Sequence, residues 1–267
     1  MQIKEKKNNP NLQFRGRKFG HVKKKQYFCG PNGTKVLVRR MKQSIYLIIV
    51  CICCAVFACT PKAEYDRSGF VELTEVIEDA ILEIRYYSTY NFVGERIDGY
   101  ERPLALMTRQ AADSLKMVND ELRAQGYRLK IWDAYRPQRA VNHFIRWAED
   151  TNDTTMKAIF YPMVDKSLLF EQNYIFARSS HSRGSTVDLT LVQEATGKEL
   201  EMGSPFDWFG EESHPDYTEL DSSIIANRLI LREAMLRHGF QPIDSEWWHF
   251  TLADEPYPDT YFDFPIR

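Results

Sequence analysis

Residues 179–191 read Ser-Ser-His-Ser-Arg-Gly-Ser-Thr-Val-Asp-Leu-Thr-Leu, which sets His181 and Asp188 seven positions apart with Gly184 between them. The β-branched, apolar run from Val187 to Val192 reads as a buried strand. An imidazole and a carboxylate at this spacing make half of a metal site. The other half has to come from elsewhere, and Glu246-Trp247-Trp248-His249, beginning 58 positions after Asp188, is the candidate. Strand side chains alternate between faces, so residues seven or three apart on one regular strand point opposite ways. His181 and Glu246 are therefore expected on bends leading into their strands. Gly184 supports this for the first pair, and Pro242 and Asp244 lie upstream of the second.

Working outward, Tyr127 to Trp132 alternates apolar and basic residues as a strand does and runs into Asp133-Ala134-Tyr135-Arg136-Pro137. Pro137 biases Arg136 away from helical geometry, so its guanidinium is expected at a strand end, ahead of a helix over 138–149. Thr108 is a plausible N-cap for a helix to about Ala124, with Ala111, Leu115, Val118 and Leu122 as its apolar stripe and Gly126 beyond its end. Val76, Ile81, Leu82 and Ile84 are core candidates, and Tyr86, Tyr87, Tyr90 and Phe92 form an aromatic group suited to core or pocket wall. Gly203 to Tyr217 reads as a long surface loop. Asp221 or Ser222 opens a helix to His238, apolar nearly all round and so expected to be well buried. Phe240 to Leu252 follows as the strand carrying Glu246 and His249. No internal repeat is evident, and one α+β domain over 60–267 is the simplest division.

Charge is unevenly spread. The net of −2 combines a leader, with 12 basic residues and one acid in 1–40 and Lys42 alone in 41–59, with a body of 22 basic and 36 acidic residues. That acidic body argues against a nucleic-acid partner, since phosphate binding needs clustered Lys and Arg. All five cysteines lie at or before Cys59, so the body offers a metal only nitrogen and oxygen ligands.

Ile45 to Ala58 is a 14-residue, almost wholly apolar run behind Arg39, Arg40 and Lys42. That is short for a membrane span of about 20 residues and has the parts of a secretory signal over 41–59. Cys59 directly after Ala58 resembles a lipobox cysteine, the expected site of lipidation. Met41 sits where a signal would start, so residues 1–40 are expected to be an untranslated extension; an uncut signal anchor is the alternative. Either way the body is expected outside the cytoplasm, in the periplasm or envelope, touching membrane only through signal or lipid.

His181, Asp188 and His249 supply two imidazoles and a carboxylate, the three protein ligands that a catalytic zinc takes while leaving a position for water. Glu246 is placed to take that water's proton, and Arg136 to face the oxyanion. Together with Trp132-Asp133-Ala134-Tyr135-Arg136-Pro137 and the closing Asp254 to Pro265 segment, these motifs resemble the D-alanyl-D-alanine dipeptidase family over roughly 70–267. The resemblance implies an α+β fold of the D,D-peptidase and hedgehog-like zinc type, with a central antiparallel sheet flanked by helices. It also implies one zinc on His181, Asp188 and His249, Glu246 as base and Arg136 at the oxyanion. Asp207 would hold the ammonium of a small dipeptide, and Ser179 and Tyr87 its ends. Thr186 and Pro205 depart from the pattern and touch substrate detail only.

Blander readings stand beside these. The two histidines could be hydrogen-bonded core residues, Arg136 could only shape its turn through Asp133, and Asp207 could be a solvated acid. Trp247 and Trp248 read as packing. A zinc D,D-carboxypeptidase or endopeptidase acting on longer wall peptides is one alternative function, and a non-catalytic zinc-binding envelope lipoprotein is another.

Overall fold

The computed structural model describes Arg67 and residues 69–267, so the readings placed on 1–40, 41–59 and Cys59 lie outside the described residues. β1 (Phe70–Glu72) pairs antiparallel with β3 (Leu106–Thr108) in a small two-stranded sheet. Thr108 then opens helix α1 (Arg109–Arg123), its side-chain oxygen accepting from the Ala111 amide at 3.4 Å. The four residues of the expected stripe are fully buried. Gly126, at φ +86°, turns the chain into β4 (Tyr127–Asp133), where a side chain would be strained. Helix α2 (Gln138–Glu149) follows Pro137 as expected.

The main sheet runs β2-β4-β5-β8-β7, with β2 (Ile81–Leu82), β5 (Thr186–Gln193), β7 (Phe240–Pro242) and β8 (His249–Leu252); β6 (Lys198–Glu199) pairs β5 as well. Every pairing is antiparallel except β2 with β4. On one face Leu129, Ile131, Val187, Leu189 and Leu191 are wholly buried in the core. On the other, Asp188 and Thr190 are equally buried although polar. Burying polar groups is costly unless they have partners, so this second face marks the place where chemistry is concentrated.

A register shift sets the site's geometry. Ile131 pairs with Leu189, but the next partners are Asp133 and Asp188, so β4 bulges at Trp132. Asp188 in turn pairs with His249. The bulge thus lines up Asp133, Asp188 and His249 across three strands.

Three expectations change. Helix α3 (Ser222–Arg237) buries only Arg228, Leu231, Ala234 and Met235, while Leu229 and Leu236 stay 45% and 40% exposed. Ile225 and Leu229 line a cavity of about 240 Å³ on this side of the helix instead of packing into the core. Phe240 to Leu252 is a hairpin of β7 and β8 instead of one strand; residues 243–248 leave the sheet after Pro242, whose ring has no amide to donate. The Gly203 to Tyr217 loop is no surface loop either, since Phe206, Asp207, Phe209 and Ser213 are buried. Phe206 stacks on Trp132 with centroids 4.9 Å apart, which draws the loop onto the polar face of the sheet.

Candidate metal centre

His181 lies on a 3-10 turn (Ser180–Arg183) that ends at Gly184 in the left-handed region, φ +84°. The bend expected between His181 and Asp188 is this turn. The Arg136 amide donates to the His181 carbonyl at 3.3 Å and the Phe262 amide to the Ser182 carbonyl at 2.9 Å, so the turn is tied to two other parts of the chain. Glu246 likewise sits outside the strands, in the connection before β8.

His181 Nε2 stands 3.2 Å from His249 Nδ1 and 3.2 Å from Asp188 Oδ2, and His249 Nδ1 stands 3.1 Å from Asp188 Oδ1. His181 Nδ1 lies 2.7 Å from the Ala134 carbonyl, which can only accept, so this nitrogen carries the proton and Nε2 the lone pair. His249 Nε2 has Ser180 Oγ at 3.1 Å, leaving Nδ1 to face inward. Asp188 Oδ1 is buried and accepts no hydrogen bond.

Two imidazole nitrogens and a carboxylate therefore converge with separations near the ~3.3 Å edge of a tetrahedron whose bonds are about 2.0–2.1 Å. The residues fit a metal ion, and among the described residues they form the one group of His, Cys, Asp or Glu so placed. Each histidine also has an outer partner fixing its ring, as metal-ligating histidines do.

Electrostatics agree. Burial, with Arg136 adding to it, lowers His181 to about 4 against the pull of Asp188, so the imidazole is neutral as a ligand must be. Burial alone would raise Asp188, but the two imidazoles hold it well below the ordinary carboxylate range. Asp133 is raised to about 7, chiefly by burial, with Asp188 adding and Arg136 opposing.

Around this centre is a cavity of about 190 Å³ lined by Tyr86, Arg136, Ser179, His181, Asp188, Asp207, Glu246 and His249, among others. Arg136 Nε donates to Asp133 Oδ2 at 2.9 Å, while Nη2 and Nη1 stand 3.5 Å from Asp188 Oδ2 and Ser179 Oγ. The guanidinium does more than shape its turn: it lies in the cavity wall over the Tyr86 ring, 4.9 Å from the centroid. Glu246 Oε2 is 3.5 Å from His249 Nδ1, and its side chain is 37% exposed. Its carboxyl is raised by partial desolvation, an effect that His249 opposes and Asp188 strengthens.

Asp207 is buried, not solvated, and sits at φ +61°. It accepts from the Tyr86 hydroxyl at 3.0 and 3.1 Å to its two oxygens. Burial raises it well above the usual carboxylate range, with Arg136 opposing and Asp188 adding. Tyr87 is the one expected site residue that the structure does not bring into this lining; Arg96 lies over its ring instead. Tyr86 takes the place facing Asp207. The two share a three-residue 3-10 turn (Arg85–Tyr87), where no periodicity indicates which ring points inward. Thr186 is accommodated across the sheet, its hydroxyl 2.9 Å from that of Thr251, away from the cavity. Trp247 and Trp248 are buried packing residues, at centroid distances of 5.8 Å to Trp132 and 5.5 Å to Phe206.

A two-histidine, one-aspartate centre beside a glutamate and an arginine, on an α+β sheet, defines the class of metallopeptidases. Residues 66–267 match the D-ala-D-ala dipeptidase family, and the chain belongs to it. It is 40% identical over 199 residues to a D-alanyl-D-alanine dipeptidase of Enterococcus faecium, an alignment covering 74% of this chain and 98% of that protein. The counterpart from Streptomyces coelicolor is 40% identical over 197 residues, covering 74% and 98%. That of Escherichia coli is 31% identical over 187 residues, covering 70% and 86%.

Proposed function

We propose that this protein is a zinc-dependent dipeptidase that hydrolyses D-alanyl-D-alanine or close D,D-dipeptides. The observation that carries the reading is Asp207, a buried carboxyl group in the same small cavity as the ligand triad that forms no salt bridge among the described residues, Arg136 acting on it only from a distance. A substrate ammonium supplies the missing partner, and a peptide with a free amine next to the scissile bond presents one there. The cavity is also smaller than the roughly 300–1,000 Å³ of sites for drug-sized ligands, as a dipeptide requires.

His181, Asp188 and His249 would hold the zinc, which when bound polarises the peptide carbonyl and brings the pKa of a water to about 7. Glu246 takes the proton of the attacking water and returns it to the leaving amine; its raised affinity for protons suits both steps. Arg136, held by Asp133, offers its remaining N–H groups to the tetrahedral oxyanion. Asp207 and Tyr86 fix the amino end, and Ser179 lies where it can meet the substrate. Glu246→Gln is expected to lower kcat by about 10²–10⁴, the range for a lost general base, with metal content unchanged.

The deciding experiment compares alanine release from D-Ala-D-Ala, from its N-acetyl derivative and from a wall pentapeptide. Hydrolysis of the free dipeptide alone is expected. Cleavage of the pentapeptide at an equal rate would instead favour the carboxypeptidase reading, and zinc binding with no hydrolysis the non-catalytic one.

We further propose export to the cell envelope, with lipid on Cys59. The basic flank, the 14-residue apolar run and the cysteine that follows support this. Labelling cells with a radioactive fatty acid is expected to mark the protein and to fail with Cys59→Ser; equal labelling of both would remove the lipid assignment.

A further inference from the structure

The loop that carries Asp207 has almost no regular structure of its own, only the 3-10 turn Glu211–Ser213. It nevertheless holds Asp207 buried, with its backbone at φ +61° in the left-handed region. A group from another element braces it. Arg228 of α3 donates Nε to the Met202 carbonyl at 2.5 Å, Nη2 to the Glu212 carbonyl at 2.6 Å and Nη1 to the His214 carbonyl at 2.9 Å. One of these carbonyls precedes Asp207 in the chain and two follow it, so a single planar fork spans both sides of the loop.

Arg228 is only 6% exposed. Among the described residues no carboxylate pairs with it, and desolvation lowers its pKa to about 10, which still leaves it charged at neutral pH. A buried cation is expensive unless hydrogen-bonded, so the three carbonyl bonds offset a real cost. Its guanidinium also lies 5.8 Å from the Trp247 ring centroid. Trp247 ties the loop to the catalytic segment, its amide donating to the Ser213 carbonyl at 2.8 Å and its Nε1 to Ser204 Oγ at 3.0 Å.

We infer that Arg228 is a positioning residue for the reaction: it braces the 202–214 loop so that Asp207 is held in the lining of the metal-centre cavity. The inference rests on the reading of Asp207 as the ammonium partner. Arg228 is not in the lining of the metal-centre cavity, and it acts through the loop's backbone.

Lysine keeps the charge but has one point of attachment in place of a three-way fork, so Arg228→Lys is the test variant, with Arg228→Met beside it. Expected for Arg228→Lys are an unchanged zinc content, a KM for D-Ala-D-Ala raised about tenfold or more, a kcat within about threefold of wild type, and faster hydrogen exchange at amides 204–213. Asp207→Asn, expected to raise KM in the wild-type background, is expected to add little in the Arg228→Lys background. A merely structural arginine would lower the melting temperature with KM unchanged and leave the Asp207→Asn effect in full; either result overturns the inference, as does unaltered exchange in the loop. If Arg228→Met does not fold, Arg228→Lys carries the test alone. Wild-type protein that binds zinc without cleaving the dipeptide overturns the functional reading and this inference with it, whereas normal wild-type cleavage with a silent Arg228 overturns this inference only.

Discussion

Tyr86 shows how much one position decides. Its hydroxyl is the hydrogen-bond partner of both Asp207 oxygens, and its ring carries Arg136 over its face. A hydrogen bond to a charged group is worth about 1.5–3 kcal/mol, so Tyr86→Phe is expected to raise KM for the dipeptide by about tenfold or more. Tyr87→Phe is expected to leave it within twofold. Steady-state kinetics on the two variants separates the neighbours, and equal effects would return Tyr87 to the site. The metal cluster was legible beforehand because residue type and spacing restrict what His181, Asp188 and His249 can do, and the cysteine-free body removed other ligands. The inward tyrosine was not, since a 3-10 turn presents adjacent side chains without a repeating face. Arg228 was illegible for another reason: its partners are carbonyls, which leave no trace in the sequence.

At the scale of elements, local signals read well where they suffice. Thr108 and Gly126 bound α1, Pro137 precedes α2, and β4 and β5 follow their apolar runs, because caps, proline geometry and alternation are chain-local. The strand bulge at Trp132 and the buried course of 203–217 depend on partners far away in the chain, and no local pattern reports them. The turn from His181 to Gly184 combines both kinds of cause. Its φ of +84° favours glycine, and a Cβ at Gly184 would drive into the Phe70 ring of β1. Phe70 cannot yield easily, being packed edge-on against Tyr135, Phe262 and Phe264 with centroids 5.2, 5.1 and 4.9 Å away. Gly184→Ala is therefore expected to cost at least about 2 kcal/mol, from backbone strain of about 1–3 kcal/mol plus overpacking. Because the same turn aims His181, zinc affinity is expected to fall as well. Denaturant unfolding with and without chelator measures the two effects separately, and an unaltered midpoint would show that the turn relaxes.

For the molecule as a whole, the question is whether the metal holds the fold together or only uses it. The ligands are drawn from the 3-10 turn, the middle sheet strand β5 and the start of β8, but the apolar core extends far beyond them, from Leu73 to Ile266. A core of this size differs from a small metal-dependent domain, which unfolds when its ion is removed. Chelation is expected to abolish dipeptide hydrolysis and to leave the far-ultraviolet circular dichroism unchanged. The melting temperature should still drop, because an ion bound only to the native state at a hundred times its Kd adds about 2.7 kcal/mol. Adding zinc back is expected to restore both activity and melting temperature in one step per chain, whereas unfolding on chelation would make the centre a structural support of the whole domain.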